Sequence, residues 1–418
     1  MSTTIMEGKN MKKTILKEYA KLAVRTGANV QKGQDVVISA SVDQGEFVSY
    51  VVEEAYKAGA RTVQIDWEAP SKVIKAHYKY QSLKTLSTFE KWQIEKLSHR
   101  ADTNPARIHI ISSGSNELKG LNQKKLTMSQ MKRYPIIKPF IDKSENQYQW
   151  TIIGVPGKEW AKEVYPELRV SQAMEKLWDA ILKMSRVTSD PVAAWKEHNK
   201  ELEEHCKYLN SLNLDYLEYK NKLGTDFKVW LSDEVLWLGG GETSLKGIYY
   251  NPNIPTEECF TTPIKGKAEG KVVATKPLSF NGQLIEDFYF VFKDGKVVEA
   301  HAEKGNELLQ KMISMDENAA YIGECALVPF ESPVNQTGTL FYNTLYDENA
   351  VCHIALGRGF TSNVKDFDKK TKEDFDRIGI NDSMIHEDFM IGSEDLSITG
   401  TTRDGKKIKI FENGTWAK

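Results

Sequence analysis

No apolar run in this 418-residue chain approaches the roughly 20 residues that a membrane-spanning helix requires. A helical membrane protein is therefore not expected. Cysteine is scarce as well: there are four, Cys206, Cys259, Cys325 and Cys352, and no two form a CxxC pair. Neither a disulfide framework nor a thiolate-rich zinc module is expected from that pattern. The compact metallohydrolase signatures HEXXH and HxH are missing, as are internal repeats and low-complexity tracts. Near the N-terminus, Lys17, Glu18 and Lys21 break any apolar stretch that could serve as a signal peptide. The expectation is a cytoplasmic protein whose first ten or so residues are loose.

What is present is ordinary in bulk and uneven in detail. The 40 % hydrophobic and 27 % charged content is that of a globular protein. The length favours two or three domains over one core. The net charge of −2 hides a divide: residues 1–200 hold 32 Lys and Arg against 22 Asp and Glu, and the remainder hold 24 against 36. Opposed halves of this kind point to two domains with different partners, or to domains that attract each other.

The first half alternates strand and helix. "ILKEYAKLAV" places Ile15, Leu16, Tyr19 and Ala23 at helical spacing, with Gly27 as the stop. "DVVISA" is a short buried strand, and Phe47, Tyr50, Val51, Ala55 and Ala58 mark a helix face that ends at Gly59. "RTVQIDW" is the next strand. A strand–helix–strand unit of this length implies a parallel sheet. "RIHIIS" and "WTIIGVP" extend it. The reading is an open, mainly parallel α/β domain over residues 1–188.

The second half, residues 189–418, reads as a mixed α+β, mostly antiparallel domain. A polar helix covers about 191–212. "FYFVFKDGKVVEAHA" alternates around Asp294-Gly295, a hairpin signal that Asn281-Gly282, Asp404-Gly405 and Asn413-Gly414 repeat. One helix is expected at about 303–313.

Chemistry concentrates in four stretches of this half. "GINDSMIHEDFMIG" sets His386, Glu387 and Asp388 among Met, Ile and Phe. "NIPTEECF" offers Glu258, "YIGECALVPF" offers Glu324 and "LYDENAVCHIALG" offers Glu348 and His353. A buried charge is costly unless it is paired or bound to a metal. In a strand, His386 and Asp388 share a face and Glu387 lies opposite. A structural His–Asp pair would look the same.

Cys259, Cys325 and Cys352 are each the chain neighbour of Glu258, Glu324 or His353, so strands allow either the Glu/His set or the Cys set to converge, not both. The absence of CxxC spacing favours the oxygen-and-nitrogen set. Glu258, Glu324, Glu348 and Asp388 carry four negative charges together, which two divalent ions balance and one does not. Such donors suit zinc, cobalt or manganese.

"NIPTEECFTTP", "GECALVP", "DENAVCHIALG" and "GINDSMIHEDFMIG", together with the start "YAKLAVRTGANVQKGQDVVI", resemble the aminopeptidase T / aminopeptidase S family of dinuclear metallo-aminopeptidases. The resemblance runs nearly end to end. It implies a homodimer of two-domain subunits that removes single residues from peptides with a free N-terminus. A metal-activated hydroxide would attack in a two-metal site of the C-terminal domain. The implied ligands are Glu258, Glu324, His353, His386 and Asp388, with Glu348 as a sixth.

Glu324 is the expected bridging, catalytic carboxylate. The general base is left among Glu387, Glu394 and Asp347, with Glu387 expected to face away. One departure stands out. The family pattern carries Tyr shortly after "HIALG", where this chain has Phe360, which has no hydroxyl to stabilise an oxyanion. Tyr342, Tyr346 and Arg358 are the nearby substitutes.

Two competing readings have less behind them. One is another metallohydrolase, a phosphatase or amidohydrolase, built on the same donors. The other is a nucleotide- or nucleic-acid-binding protein. "WLGGGETS" matches neither GxGxxG nor GxxxxGK[ST] and reads as a tight turn, and "KVIKAHYKYQSLK" reads as a solvated helix face. No nucleic-acid or membrane partner is expected. His77, His99, His109, His198, His205 and His301 show no convergent partners in the sequence.

Overall fold

The structure, a computed structural model, describes residues 13–115 and 118–417. The loose first residues expected from the sequence lie outside these. The chain forms two compact units, Met1–Lys200 with Gly241–Pro255, and Glu201–Gly240 with Thr256–Lys418. The sequence reading placed one crossing, at 188/189. The chain instead returns to the first unit over 241–255, because Asn253–Ile254 adds in parallel to the edge of that unit's sheet. A two-residue edge strand supplied from so far along the chain leaves no periodic trace.

In the first unit, β1 (Asp35–Ser41), β2 (Thr62–Glu68), β3 (Ala106–Ile111) and β4 (Trp150–Gly154) form a parallel sheet in the order β4-β3-β1-β2. One face buries Val36, Ile38, Ala40, Ile108, Ile110 and Ile153. The helix Gly45–Ala58 turns Phe47, Val48, Val51 and Ala55 inward and ends at Gly59, whose φ of 100° terminates it in the left-handed conformation. The first helix, residues 13–22, runs on as a π-turn at Ala23–Gly27. The 22-residue helix Gln123–Ser144 was not foreseen: it contains Pro135 and Pro139, which interrupt a helical reading of the sequence.

The second unit is antiparallel. A nine-stranded sheet holds the predicted hairpin, Gln283–Lys293 against Lys296–Lys304, with Asp294 and Gly295 both at positive φ as a tight two-residue turn requires. The turns at Asn281-Gly282 and Asn413-Gly414 have the same geometry. The interrupting helix is Asn306–Met312, shorter than expected.

A second sheet of five strands places β5 (Cys259–Thr261), β6 (Ile322–Leu327), β7 (His353–Gly357) and β8 (His386–Met390) in the order β8-β7-β6-β5, with Leu238–Gly239 at the far edge. Its core face, with Cys259, Ile322, Cys325, Leu327, Ile354, Leu356 and Phe389, packs into the unit's main apolar cluster. The other face carries the site.

Candidate metal centre

Register decides which side chains meet. Glu324 in β6 stands directly opposite Ala355 in β7, which stands opposite Asp388 in β8. Residues directly opposite in antiparallel strands share a face. The small Ala355 side chain therefore leaves a floor over which the two carboxylates converge. His353, two residues before Ala355, and His386, two before Asp388, share that face. Glu258 enters from just before β5.

A β-bulge makes this possible. Ile322 pairs with Leu356 but Glu324 pairs with Ala355, so Gly323 is an extra residue in β6. In a regular strand Glu324 would point the same way as Ile322, into the apolar core. The bulge turns Glu324 to the opposite face while leaving Ile322 and Cys325 in the core.

The donor atoms are close. His353 Nε2 lies 3.1 Å from Glu258 Oε2, 3.9 Å from Glu324 Oε1 and 3.9 Å from Asp388 Oδ1. His386 Nε2 lies 3.0 Å from Glu324 Oε2 and 3.4 Å from Asp388 Oδ1. These contacts resolve into two groups, Glu258–Glu324–His353 and Glu324–His386–Asp388, each with its donor atoms within 4.8 Å of one another. That span fits ligands some 2 Å from a shared cation. Glu324 belongs to both groups, one carboxylate oxygen facing each imidazole.

His386 Nδ1 lies 2.6 Å from the Arg358 carbonyl oxygen. Donation there leaves Nε2 free to accept a cation, the orienting arrangement usual for metal-bound histidine. Asp388 Oδ1 is buried without a hydrogen bond. A buried, unsatisfied carboxylate oxygen facing two imidazole nitrogens fits a cation in the space between them.

Electrostatics reflects the crowding. Burial raises the Glu324 pKa, and Asp388 and Glu258 add to it against His386, holding it at about 7. Burial pushes Glu348 well above its ordinary value, and Asp388 and Glu258 add to this. Burial would lower His353, but the hydrogen bond and charge of Glu258, with Asp388 and Glu324, lift it to about 10. Burial would raise Asp388, yet the charges of His386 and His353 hold it down. The pocket draws positive charge to its nitrogens, as a cation site must.

Glu348, in the short 3₁₀ turn Glu348–Ala350, is buried within the field of the other carboxylates but belongs to neither donor group. It stands beside the five rather than among them. Of the remaining candidates, Asp347 accepts hydrogen bonds from Phe341 N at 2.8 Å and Asn343 N at 3.0 Å and staples its own loop. Glu387 lies on the opposite face of β8, as strand alternation anticipates, and Glu394 is exposed.

The three cysteines next to Glu258, Glu324 and His353 are buried on the core face. Phe360 sits against the site, its ring centroid 4.8 Å from that of His386 and 5.6 Å from that of Phe260. Tyr346 is buried against Phe341 at 5.4 Å.

The sequence reading missed Asn349. Its Oδ1 accepts from Glu257 N at 2.7 Å and its Nδ2 donates to Leu345 O at 2.8 Å and to Glu348 Oε1 at 3.4 Å. It thereby ties the segment bearing Glu258 to the turn bearing Glu348. A lone Asn in "DENAVC" gives no sequence signal of that role.

The description "thermophilic metalloprotease (M29)" belongs to a family profile that matches residues 12–416. The chain belongs to this family. Its members' sequences extend the likeness: aminopeptidase AmpS of Bacillus subtilis (strain 168) is 38 % identical, over 96 % of this chain and 98 % of its own. Aminopeptidase 2 of Geobacillus stearothermophilus is 39 % identical over 96 % and 97 %. The solved structure of wild-type AmpT from Thermus thermophilus superposes with a TM-score of 0.88 at 34 % identity, covering 97 % of this chain and all of that one. A metalloprotease therefore carries the acidic and imidazole cluster just described.

Proposed function

We propose that this chain is an aminopeptidase that hydrolyses the first peptide bond of substrates with a free N-terminus, using two divalent ions. The observation that carries the reading is the membership of Glu324 in both donor groups. Glu258 and His353 would hold one ion, His386 and Asp388 the other, and Glu324 would bridge them. When bound, the ions supply Lewis acidity, lowering the pKa of a water from near 16 to roughly 7 and polarising the scissile carbonyl.

The chain's own groups do the rest. His386 is held in register by the Arg358 carbonyl. Burial, with Asp388 and Glu258, raises the proton affinity of Glu348 beside the cluster; with bound cations favouring its ionised form, it would take the proton of the attacking water at its carboxylate and return it to the leaving amine. This replaces Glu348's place as a sixth ligand in the sequence reading. The charges support it: the four carboxylates balance two divalent ions, and a proton moving from water to Glu348 leaves that balance unchanged. The acidic surroundings suit the ammonium of a free N-terminus, which makes the reading an exopeptidase.

The mixed oxygen and nitrogen donors suit zinc, cobalt or manganese. A homodimer remains the expectation from the family resemblance, and a cytoplasmic location the expectation from the broken apolar stretch near the N-terminus. Among the described residues no helix is long and apolar enough to cross a membrane.

Elemental analysis, paired with hydrolysis of a free-amine dipeptide and its N-acetyl twin before and after chelation, tests the proposal. About two ions per chain, loss of activity on chelation and an uncleaved acetyl compound are expected. Full activity with one ion, or equal cleavage of the blocked peptide, would overturn it.

A further inference from the structure

The first unit contains a cluster that peptide hydrolysis does not use. Parallel sheets are normally covered by apolar contacts on both faces. Here one face carries polar side chains and is for the most part half-buried, with Val37 buried beside them. Across β3, β1 and β2 the register sets His109 beside Ser39 and Ser39 beside Asp66, while Arg107 lies one pleat away on the same face as His109.

The helix Lys91–Thr103 brings cations over this face. Lys96 Nζ lies 2.8 Å from Asp66 Oδ1, and Arg100 Nη1 lies 2.5 Å from Asp66 Oδ2. Arg107 lies flat on Tyr148, its guanidinium carbon 4.1 Å from the ring centroid. Its charged neighbours are Arg100, of like sign, and Asp66.

Among the described residues, two donors there are buried without a hydrogen-bond acceptor, Arg107 Nε and Arg100 Nη2. A buried unpaired donor costs about 1–3 kcal/mol, more when it is charged. A guanidinium does not shed its proton to relieve that cost. The carboxylate among the charged neighbours of Arg107, Asp66, is already engaged by Lys96 and Arg100. Within this group, Lys96, Arg100 and Arg107 against Asp66 leave a local surplus of two positive charges. A doubly charged oxyanion cancels that surplus and offers several acceptors to guanidinium forks; a monocarboxylate cancels half of it.

We propose that Arg100 and Arg107 form a binding site for a phosphoryl-type dianion on the polar face of the first unit's sheet, with Ser39 and His109 as its neutral hydrogen-bonding floor. Nothing in the hydrolytic site enters this argument, so the two readings stand or fall separately.

Calorimetric titration of the full-length protein with inorganic phosphate, at constant ionic strength in chloride, tests it. Saturable binding of one phosphate per chain is expected, weakened about tenfold or more in Arg107→Gln and in Arg100→Gln. Glu324→Gln should bind phosphate as the parent does, which separates this site from phosphate held at the metal centre. Acetate should bind more weakly than phosphate. Adenosine monophosphate identifies a phosphate ester as the natural ligand if it binds more tightly than free phosphate, and free phosphate if it does not.

The absence of saturable binding at millimolar phosphate overturns the proposal. So does undiminished binding in both arginine variants, or binding lost only in Glu324→Gln. Arg107→Gln gives up the contact with the Tyr148 ring, so its melting in chloride is measured beside the titration to show that it folds. Should it fail to fold, the loss is read in Arg100→Gln.

Discussion

Substituting alanine for Gly323 asks whether the bulge in β6 aims the centre. A Cβ on Gly323 would lie 2.4 Å from the Arg358 carbonyl oxygen and 2.5 Å from that of Gly357. Side-chain carbons do not approach that closely, so the β7 end must retreat by roughly 0.6 Å or the bulge must flatten. Both neighbours are backbone, fixed by Gly357 N donating to Tyr321 O at 2.8 Å and Arg358 N donating to Ile385 O at 2.7 Å.

Overpacking of this kind costs about 1–3 kcal/mol. At about 2 kcal/mol, a unit of some 200 residues should melt roughly 4–8 °C lower. The functional loss has two sources. The displaced Arg358 carbonyl is the atom that orients His386, and a flattened bulge would turn Glu324 toward the core. Loss of an orienting contact alone weakens metal binding 10- to 100-fold as an order of magnitude, and a misplacement near 1 Å costs about 10²-fold in rate.

Metal affinity by competition with a chromophoric chelator, melting by calorimetry and kcat/KM on a free-amine dipeptide would be measured together. Gly323→Ala with parental values in all three would refute the idea that the bulge builds the site. A lower melting temperature with metal affinity and kcat/KM intact would make Gly323 a packing residue only.

Three further outcomes follow from the same geometry. Glu324→Gln should drop kcat/KM by about 10³-fold or more and lower the metal count, because it replaces one of the two oxygens that face the donor groups with an amide nitrogen and takes the negative charge from both groups; near-normal turnover would sink the shared-ligand assignment. Phe360→Tyr places a phenol beside His386 and should raise kcat about tenfold with little change in KM if its hydroxyl reaches the developing oxyanion, since one such donor is commonly worth more than that; an unchanged or lower kcat would count against it. Burial, and then the charge of Arg107, hold the His109 pKa down to about 4 against an ordinary 6.5. Between those values the unfolded chain binds a proton that the native chain does not, so stability present above pH 6.5 should be lost as pH falls toward 4. The loss should be about 2 kcal/mol after allowance for partial exposure. His109→Gln should flatten that part of a denaturant-midpoint profile against pH, and superimposable profiles would show that His109 does not contribute.

What the sequence made legible, and what it hid, divide along physical lines. The hairpin at Asp294-Gly295 was readable because two consecutive positive-φ residues demand those residue types. The candidate metal face was readable from charge: Glu324 and His353 sit in apolar runs where an unpaired ionised group would be costly. Alternation placed Glu387 away from His386 and Asp388, and the cysteines behind the acids, because each of those inferences needs only the immediate neighbour in a strand.

The same rule fails over two residues in β6. Counting from buried Ile322 assigns Glu324 to the core, and counting from Cys325 assigns it to the site. The sequence offers no means of choosing, since the choice rests on Gly323 being an unpaired bulge whose partners, Gly357 and Arg358, lie more than thirty residues on. The return of 241–255 to the first unit was hidden for a related reason: it rests on pairing with β4, about a hundred residues earlier, and not on local pattern. Arg107 was hidden differently. Its residue type is unremarkable, and only its burial beside Arg100, with donors left over, makes it informative. Residue types that are out of place announce themselves in sequence. Ordinary residues made significant by long-range register do so only in the fold, and Gly323 is where both the metal face and its orienting carbonyl depend on one of them.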